Sequence, residues 1–304
     1  MKKENYNMKT KPVKRCREDV IFDTVIFIIL TLILFVVAYP LYWVIISSFS
    51  DPTAVSAGKV LLRPMGFTLK GYAEVFKNSQ VMRGFFNSIV ITFVGVCVNL
   101  AVTLPTAYAL SRDNFSGKKP ITVFYMITMF FGGGMIPTFI LVNNLHMVNT
   151  VWAILLPGAF NVWNMILART YFQSIPAELR EASELDGATE IQHFFKIMLP
   201  VCKPIIAVLA LWSFVGMWNS YFDAMIYLND ADMQPLQLVL RSILVQNTPQ
   251  PGMIADIQST AEMAKVAELL KYATIVVSSL PLLIMYPFFQ KYFDKGIMVG
   301  SVKG

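Results

Sequence analysis

The chain has 304 residues, 56% of them hydrophobic and 14% charged, with a formal net charge of +6. That is far more apolar than one water-soluble core requires, and it points to an all-α membrane protein built from runs of about 20 apolar residues. Anionic lipid headgroups account for the positive charge, so no nucleic-acid partner is implied.

In chain order, a basic tail (1–22) precedes a membrane domain (23–293) and a carboxyl tail (294–304). The first span, about Thr24 to Ile46, is too long for a cleavable signal core. "SSFSDPTAVSAG" offers only a weak cleavage site, so this span reads as an uncleaved anchor. The second span runs from about Phe86 to Leu110 and the third from about Ile121 to Val142. Within the third, "FFGGGMIPTF" lacks the Lys-Ser/Thr of a phosphate-cradling loop. Gly132, Gly133 and Gly134 read as a close helix-packing surface with a kink at Pro137, a specific substrate contact being the alternative. The chain shows no machinery for using ATP, so energy for any active transport would come from elsewhere.

The fourth span, about Val151 to Tyr171, carries Asn161, Trp163 and Asn164. The fifth, about Leu199 to Leu228, carries Trp218, Asn219, Tyr221 and Asp223. Polar groups are costly in lipid and turn to the bundle interior. Indole faces and amides suit sugars, so these seven are candidates for a substrate path. Interhelical hydrogen bonding and an interfacial aromatic belt remain the alternatives. The sixth span runs from about Tyr272 to Phe289.

Between the fourth and fifth spans lies a polar segment, 174–200, containing "EASELDGATEIQHFFKIMLP". Pro176 suits a first helical turn, Glu178 and Glu181 favour its positive end, and Leu179, Ala182 and Leu185 form one apolar stripe. Gly187 supplies a left-handed stop, and Thr189 with Gln192 makes a capping box for a second helix. In that helix Ile191, Phe194, Phe195, Met198 and Leu199 face apolar surface, while Glu190, Gln192, His193 and Lys196 turn outward. Small residues at the elbow (Ala182, Ser183, Gly187, Ala188) leave room for another protein. The alternative is an interfacial loop.

Outside the spans, the stretches 51–83 and 229–271 are long, and Leu236, Leu240, Ile243 and Leu244 share one helical face. They would receive another protein or cover the bundle mouth. Cys16, Cys97 and Cys202 imply no disulfide, and His146 and His193 lack metal-ligand spacing. With the amino terminus inside, 17 of the 25 Lys and Arg fall on the cytoplasmic side, placing both termini and the 174–200 loop there.

The loop resembles the signature of binding-protein-dependent ABC importer permeases: E-A-A, three residues, G, nine residues, I-x-L-P. Glu181, Ala182, Gly187, Ile197, Leu199 and Pro200 stand at its offsets, and Ser183 replaces the second alanine. "FFNSIVIT", "MWNSYFDAMIYL", "PLQLVLR" and "YPFFQKYFDKGIMVGSVKG" are similar to maltose-transporter-type carbohydrate permeases. "FFGGGMIPTFILV" is similar to the subgroup importing complex oligosaccharides such as pectin fragments and alginate.

The resemblance implies a type I importer permease fold of six transmembrane helices in a bacterial cell membrane, acting in oligosaccharide import. It implies a second, related permease, a dimer of ATPase subunits holding ATP and magnesium, and an extracytoplasmic sugar-binding protein. The chain itself would bind no cofactor and catalyse nothing. Glu181, Ala182, Ser183, Asp186, Gly187, Ala188, Ile197, Leu199 and Pro200 would form the ATPase-coupling element, with "MVGSVKG" at the carboxyl end a second contact. An ion-coupled secondary transporter is the competing class, resting on Asp223 and Asp23; a membrane enzyme lacks a nucleophile or metal cluster.

Overall fold

In a computed structural model, the backbone is described for residues 16–246 and 260–301, and all regular structure among them is helical. Helix α1 (Arg17–Ser48) begins inside the stretch that the sequence assigns to the basic tail. It is apolar all round and exposed along most of its length, Phe27, Leu34 and Phe35 included, as suits lipid or another apolar surface. Its far end is pinned by aromatic anchors. Trp43 Nε1 donates to the Val60 carbonyl at 2.7 Å and Tyr42 OH to that of Leu62 at 2.6 Å.

After the short α2 (Pro52–Ser56) and α3 (Lys70–Lys77) comes α4 (Ser79–Ser111), the axis of the bundle. Asn78 caps it, its side chain accepting from the Gln80 and Val81 amides at 3.0 Å each. A β-carbon at Gly84 would lie 3.3 Å from the Leu236 backbone, so only glycine lets that segment come so close; the Leu236 amide then donates to Ser88 Oγ at 2.8 Å. In lipid the hydrophobic effect does little between helices, and such contacts and interhelical hydrogen bonds carry the packing.

The third predicted span is broken. Helices α5 (Lys118–Phe130) and α6 (Met135–Asn144) meet at 113° across Phe131–Gly134. The turn is at Gly134, with φ +87°, and Pro137 sits in the first turn of α6, where its missing N–H costs nothing. A kink at Pro137 is therefore not what forms. Among the described residues nothing lies within 4 Å of where a β-carbon would stand on Gly132 or Gly133, so no close helix contact forms over that side of them.

The fourth predicted span is likewise two pieces, the single turn α7 (Trp152–Leu155) and α8 (Val162–Gln173). The elbow follows as α9 (Glu178–Leu185), α10 (Glu190–His193), a π-helical turn Phe194–Met198 and α11 (Leu199–Val201). The chain then bends by 81° into α12 (Lys203–Asn219). Leu199 and Pro200 thus belong to the elbow. The fifth predicted span ends early, at Asn219, and α13 (Phe222–Tyr227) follows a break at Ser220.

Helix α14 (Leu236–Gln246) buries Leu236, Leu240 and Ile243 against this chain's own α4 and α15 (Thr260–Ser301), so that face covers the bundle. Among the described residues three helical stretches, Arg17–Ser48, Ser79–Ser111 and Leu270–Gln290, are long and apolar enough to cross a membrane singly, or up to five if each bent pair is one span. The last residues of "MVGSVKG", 302–304, lie outside the described residues.

Two buried clusters mark the ends of α4. One joins Leu104, Tyr108, Phe172, Phe194, Met198 and Cys202. The other joins Val75, Val81, Trp218, Leu236 and Val239.

Candidate functional site

Two places gather the residues that the sequence singles out, and the first is the elbow. Gly187 has φ +74°, and among the described residues no atom lies within 4 Å of where a β-carbon would stand, so glycine suits its backbone and leaves open space beside it. The Ala188 amide closes the turn on the Ser183 carbonyl at 2.9 Å. The capping box forms: Gln192 N–H donates to Thr189 Oγ1 at 3.3 Å, and Thr189 N–H to Gln192 Oε1 at 2.9 Å. Pro176 precedes the cap residue, Ala177, and stays outside the helix.

Of the coupling candidates, Glu181, Ala182, Asp186, Gly187 and Pro200 are exposed, Ala188, Ile197 and Leu199 are half-buried, and Ser183 is buried. Leu185 is the most exposed large apolar side chain near the turn, at 90%, and Leu179 on the same stripe is also exposed. Ser183 does not face outward. Its hydroxyl lies 2.7 Å from His193 Nδ1, locking α9 to α10.

The second helix differs from its sequence reading in rotation. His193, Phe194 and Met198 are buried, while Ile191 and Phe195 are exposed. Pro200 cannot donate to a carbonyl one turn back, and the preceding residues form a wider π turn, which shifts the phase of the apolar face. Glu190 is exposed, as the sequence reading has it, yet its carboxylate reaches across to α4. Its Oε2 accepts from Tyr108 OH at 2.8 Å, and its Oε1 from Arg112 Nη2 at 2.9 Å and Arg180 Nη2 at 3.2 Å. The elbow and the carboxyl end of α4 therefore share one end of the bundle. The ion pair of Arg83 with Asp232 ties the amino end of α4 to the segment before α14 at the opposite end.

Burial holds the His193 imidazole below its ordinary range; Glu190 and Glu184 oppose that shift and Arg180 adds to it. A depressed histidine takes up protons more readily when unfolded. The packed elbow is therefore fully stabilised above the unfolded histidine value, about 6.5, and loses that contribution as pH falls toward the folded value. Protection of the amides across 183–193, taken relative to their intrinsic exchange rates, is expected to weaken as pH falls from 7.5 to 5.5. His193→Gln, which has no group titrating in that window, is expected to flatten the response.

The second place is a cavity of about 580 Å³ between α4, α8 and α12. Asn161, Trp163, Asn164 and Asp223 all line it, joined by Asn99, Trp212, Ser213 and Ser220. Asn161 also caps α8, its Oδ1 accepting from the Asn164 amide at 3.0 Å. Asn99 Nδ2 donates to the Ala159 carbonyl at 3.0 Å, and Ser213 Oγ donates to Asn99 Oδ1 at 2.8 Å, fixing one wall.

Three sequence candidates fall outside the cavity wall. Trp218 is buried at 1% exposure, donates to the Ser278 carbonyl at 3.0 Å and packs on Phe85 and Phe214. Asn219 returns its amide to the Val215 carbonyl at 2.9 Å. Tyr221 lies under the Arg241 guanidinium, 5.8 Å from its ring centre. Asn99 and Ser213 escaped the sequence reading because each is one small polar residue in an apolar helix, and only the packing of α4 on α12 brings them together.

A bundle of helices long and apolar enough to cross a membrane, with a polar cavity among them and an elbow projecting at one end, is an arrangement suited to passing a solute. Residues 81–299 match the family described as binding-protein-dependent transport system inner membrane component, and the chain belongs to that family.

Its relatives include the polygalacturonan/rhamnogalacturonan transport system permease protein YtcP of Bacillus subtilis (strain 168), 36% identical over 93% of this chain and 99% of that one. Protein LplC of the same organism is 39% identical over 87% of this chain and 89% of that one. Among solved structures, a chain of a bacterial ABC transporter involved in the import of the acidic polysaccharide alginate superposes with a TM-score of 0.84 at 32% identity, covering 93% of this chain and all of that one. The fold is thus that of ABC importer permeases. As a member of this family the chain is a transport component and not an enzyme, and ATP hydrolysis belongs to a separate subunit.

Proposed function

We propose that this chain is one of two related permease subunits of an oligosaccharide importer in a bacterial cytoplasmic membrane. It crosses six times, with α1, α4, the α5–α6 pair, α7–α8, α12 and α15, and both termini are cytoplasmic. The domain limits follow: a basic tail to residue 22, a permease body to 293 with the 174–200 loop, and a tail from 294. A dimer of ATPase subunits binds ATP and magnesium and receives the elbow. A sugar-binding protein delivers substrate from outside, and the cavity around Asn161, Trp163, Asn164 and Asp223 contributes this subunit's half of the path.

The observation that carries this reading is the elbow itself, stapled internally through Ser183 and His193 while Leu185 stands uncovered at its tip. Exposed leucines are common singly, but one that continues a stripe on a rigid projection fits a helix-in-groove contact. Membership of the family sets aside the ion-gradient reading that Asp223 and Asp23 allow in the sequence. Tagging the chain, extracting it gently from native membranes and identifying its companions by mass spectrometry tests the proposal. A second six-span permease and an ATPase are expected; recovery of the chain alone would overturn it.

A further inference from the structure

Helix α9 carries the exposed Leu185, yet a cavity of about 350 Å³ lies between it and the ends of α4 and α8, lined by Tyr108, Arg112, Phe172, Pro176, Arg180 and His193. Close packing does not fill that gap. Beside that gap a carboxylate links the two helices: Glu190 accepts from Arg180 of α9 on one side, and from Tyr108 of α4 and Arg112, the residue that ends α4, on the other. Arg180 is itself held in α9 by an ion pair with Glu184 at 2.7 Å, and Arg112 lies over the Tyr108 ring, 5.3 Å from its centre. An exposed pair of charges does little, but a carboxylate receiving three donors from two helices fixes distance and direction at once.

We propose that Glu190 is the positioning residue that makes α9 and α4 move as one body, so that displacement of the elbow is delivered to the wall of the cavity through α4. The proposal rests on the reading of the elbow as the ATPase seat. Asn99, on α4 and in the cavity wall, would be the receiving end of that movement. Without the carboxylate the elbow would respond to its partner while α4 lagged behind, and ATP would be spent without transport.

The test uses the assembled complex with cysteine-free partner subunits. In a Cys16→Ser chain, with Cys202 buried and inert, spin labels are placed on the native Cys97 of α4 and on α9 through Glu178→Cys. Their separation is measured by pulsed EPR in the nucleotide-free complex and after trapping with ATP and vanadate. In the parent the separation is expected to stay constant, because both labels ride on one body. In Glu190→Gln it is expected to change on trapping by at least about 2 Å, the scale of helix shifts at moving interfaces, with the ATPase still bound. Tyr108→Phe combined with Arg112→Gln, which removes both donors on the α4 side and keeps Arg180, is read in the same way where Glu190→Gln complexes fail to assemble. A separation that changes in the parent, or one as constant in the variants as in the parent, overturns the proposal. A parent that purifies without an ATPase overturns the underlying reading of the elbow instead.

Discussion

A Gly187→Trp chain is expected to insert into the membrane in normal amount, yet lose its ATPase on purification and support no uptake. The backbone there has φ +74°, a conformation that costs an L-residue about 1–2 kcal/mol. The elbow is over-determined by the Ser183–His193 bond and the Thr189 cap, so that strain alone does not unfold it. The decisive effect is bulk. Among the described residues nothing lies within 4 Å of the position of a β-carbon, so the indole stands out on the same projection as Leu185 and blocks whatever seats there. Quantifying the chain in membranes, the ATPase recovered with it and sugar uptake checks each part. Normal uptake in this variant would remove the elbow from energy coupling.

The second expected result concerns the cavity. Trp163 is 56% exposed within the chain and lines the cavity beside Asn161 and Asn164. If its face meets a sugar ring, Trp163→Ala removes a contact worth about 0.5–1.5 kcal/mol, which predicts up to about a tenfold fall in transport. Complex yield and ATPase recovery are expected to be unchanged. Trp218→Ala serves as the contrast, because that indole is a buried packing element bonded to Ser278 and its loss is expected to lower complex yield first. Transport unaltered by Trp163→Ala at full complex yield would take this residue off the path.

Local signals in the sequence survived folding. The glycine stop at Gly187 and the Thr189–Gln192 cap depend on residues within a few positions of one another, and both form as their chemistry dictates. The pair Asn161 and Asn164 reached the cavity for a similar reason, since one residue caps the helix that carries both. What the sequence hid was which face of an element its own chain would cover. Trp218 looks like a sugar platform until Phe85 and Phe214 close over it, and His193 looks like a surface residue until Ser183 is folded against it. Apolar periodicity also assumes an unbroken α-helix, and the π turn from Phe194 to Met198 rotated the pattern past the point where counting from Ile191 works.

The break at Phe131–Gly134 bears on the lifetime of the chain as well as on its shape. Inside hydrocarbon a backbone that leaves the helix is tolerated only where protein covers it or water reaches it, yet among the described residues nothing lies within 4 Å of where a β-carbon would stand on Gly132 or Gly133. The solitary polypeptide would hold an open seam toward lipid that a neighbour or an aqueous channel has to relieve. On the proposed assembly a related subunit would close that seam, and a copy made alone would be the more open to a membrane protease.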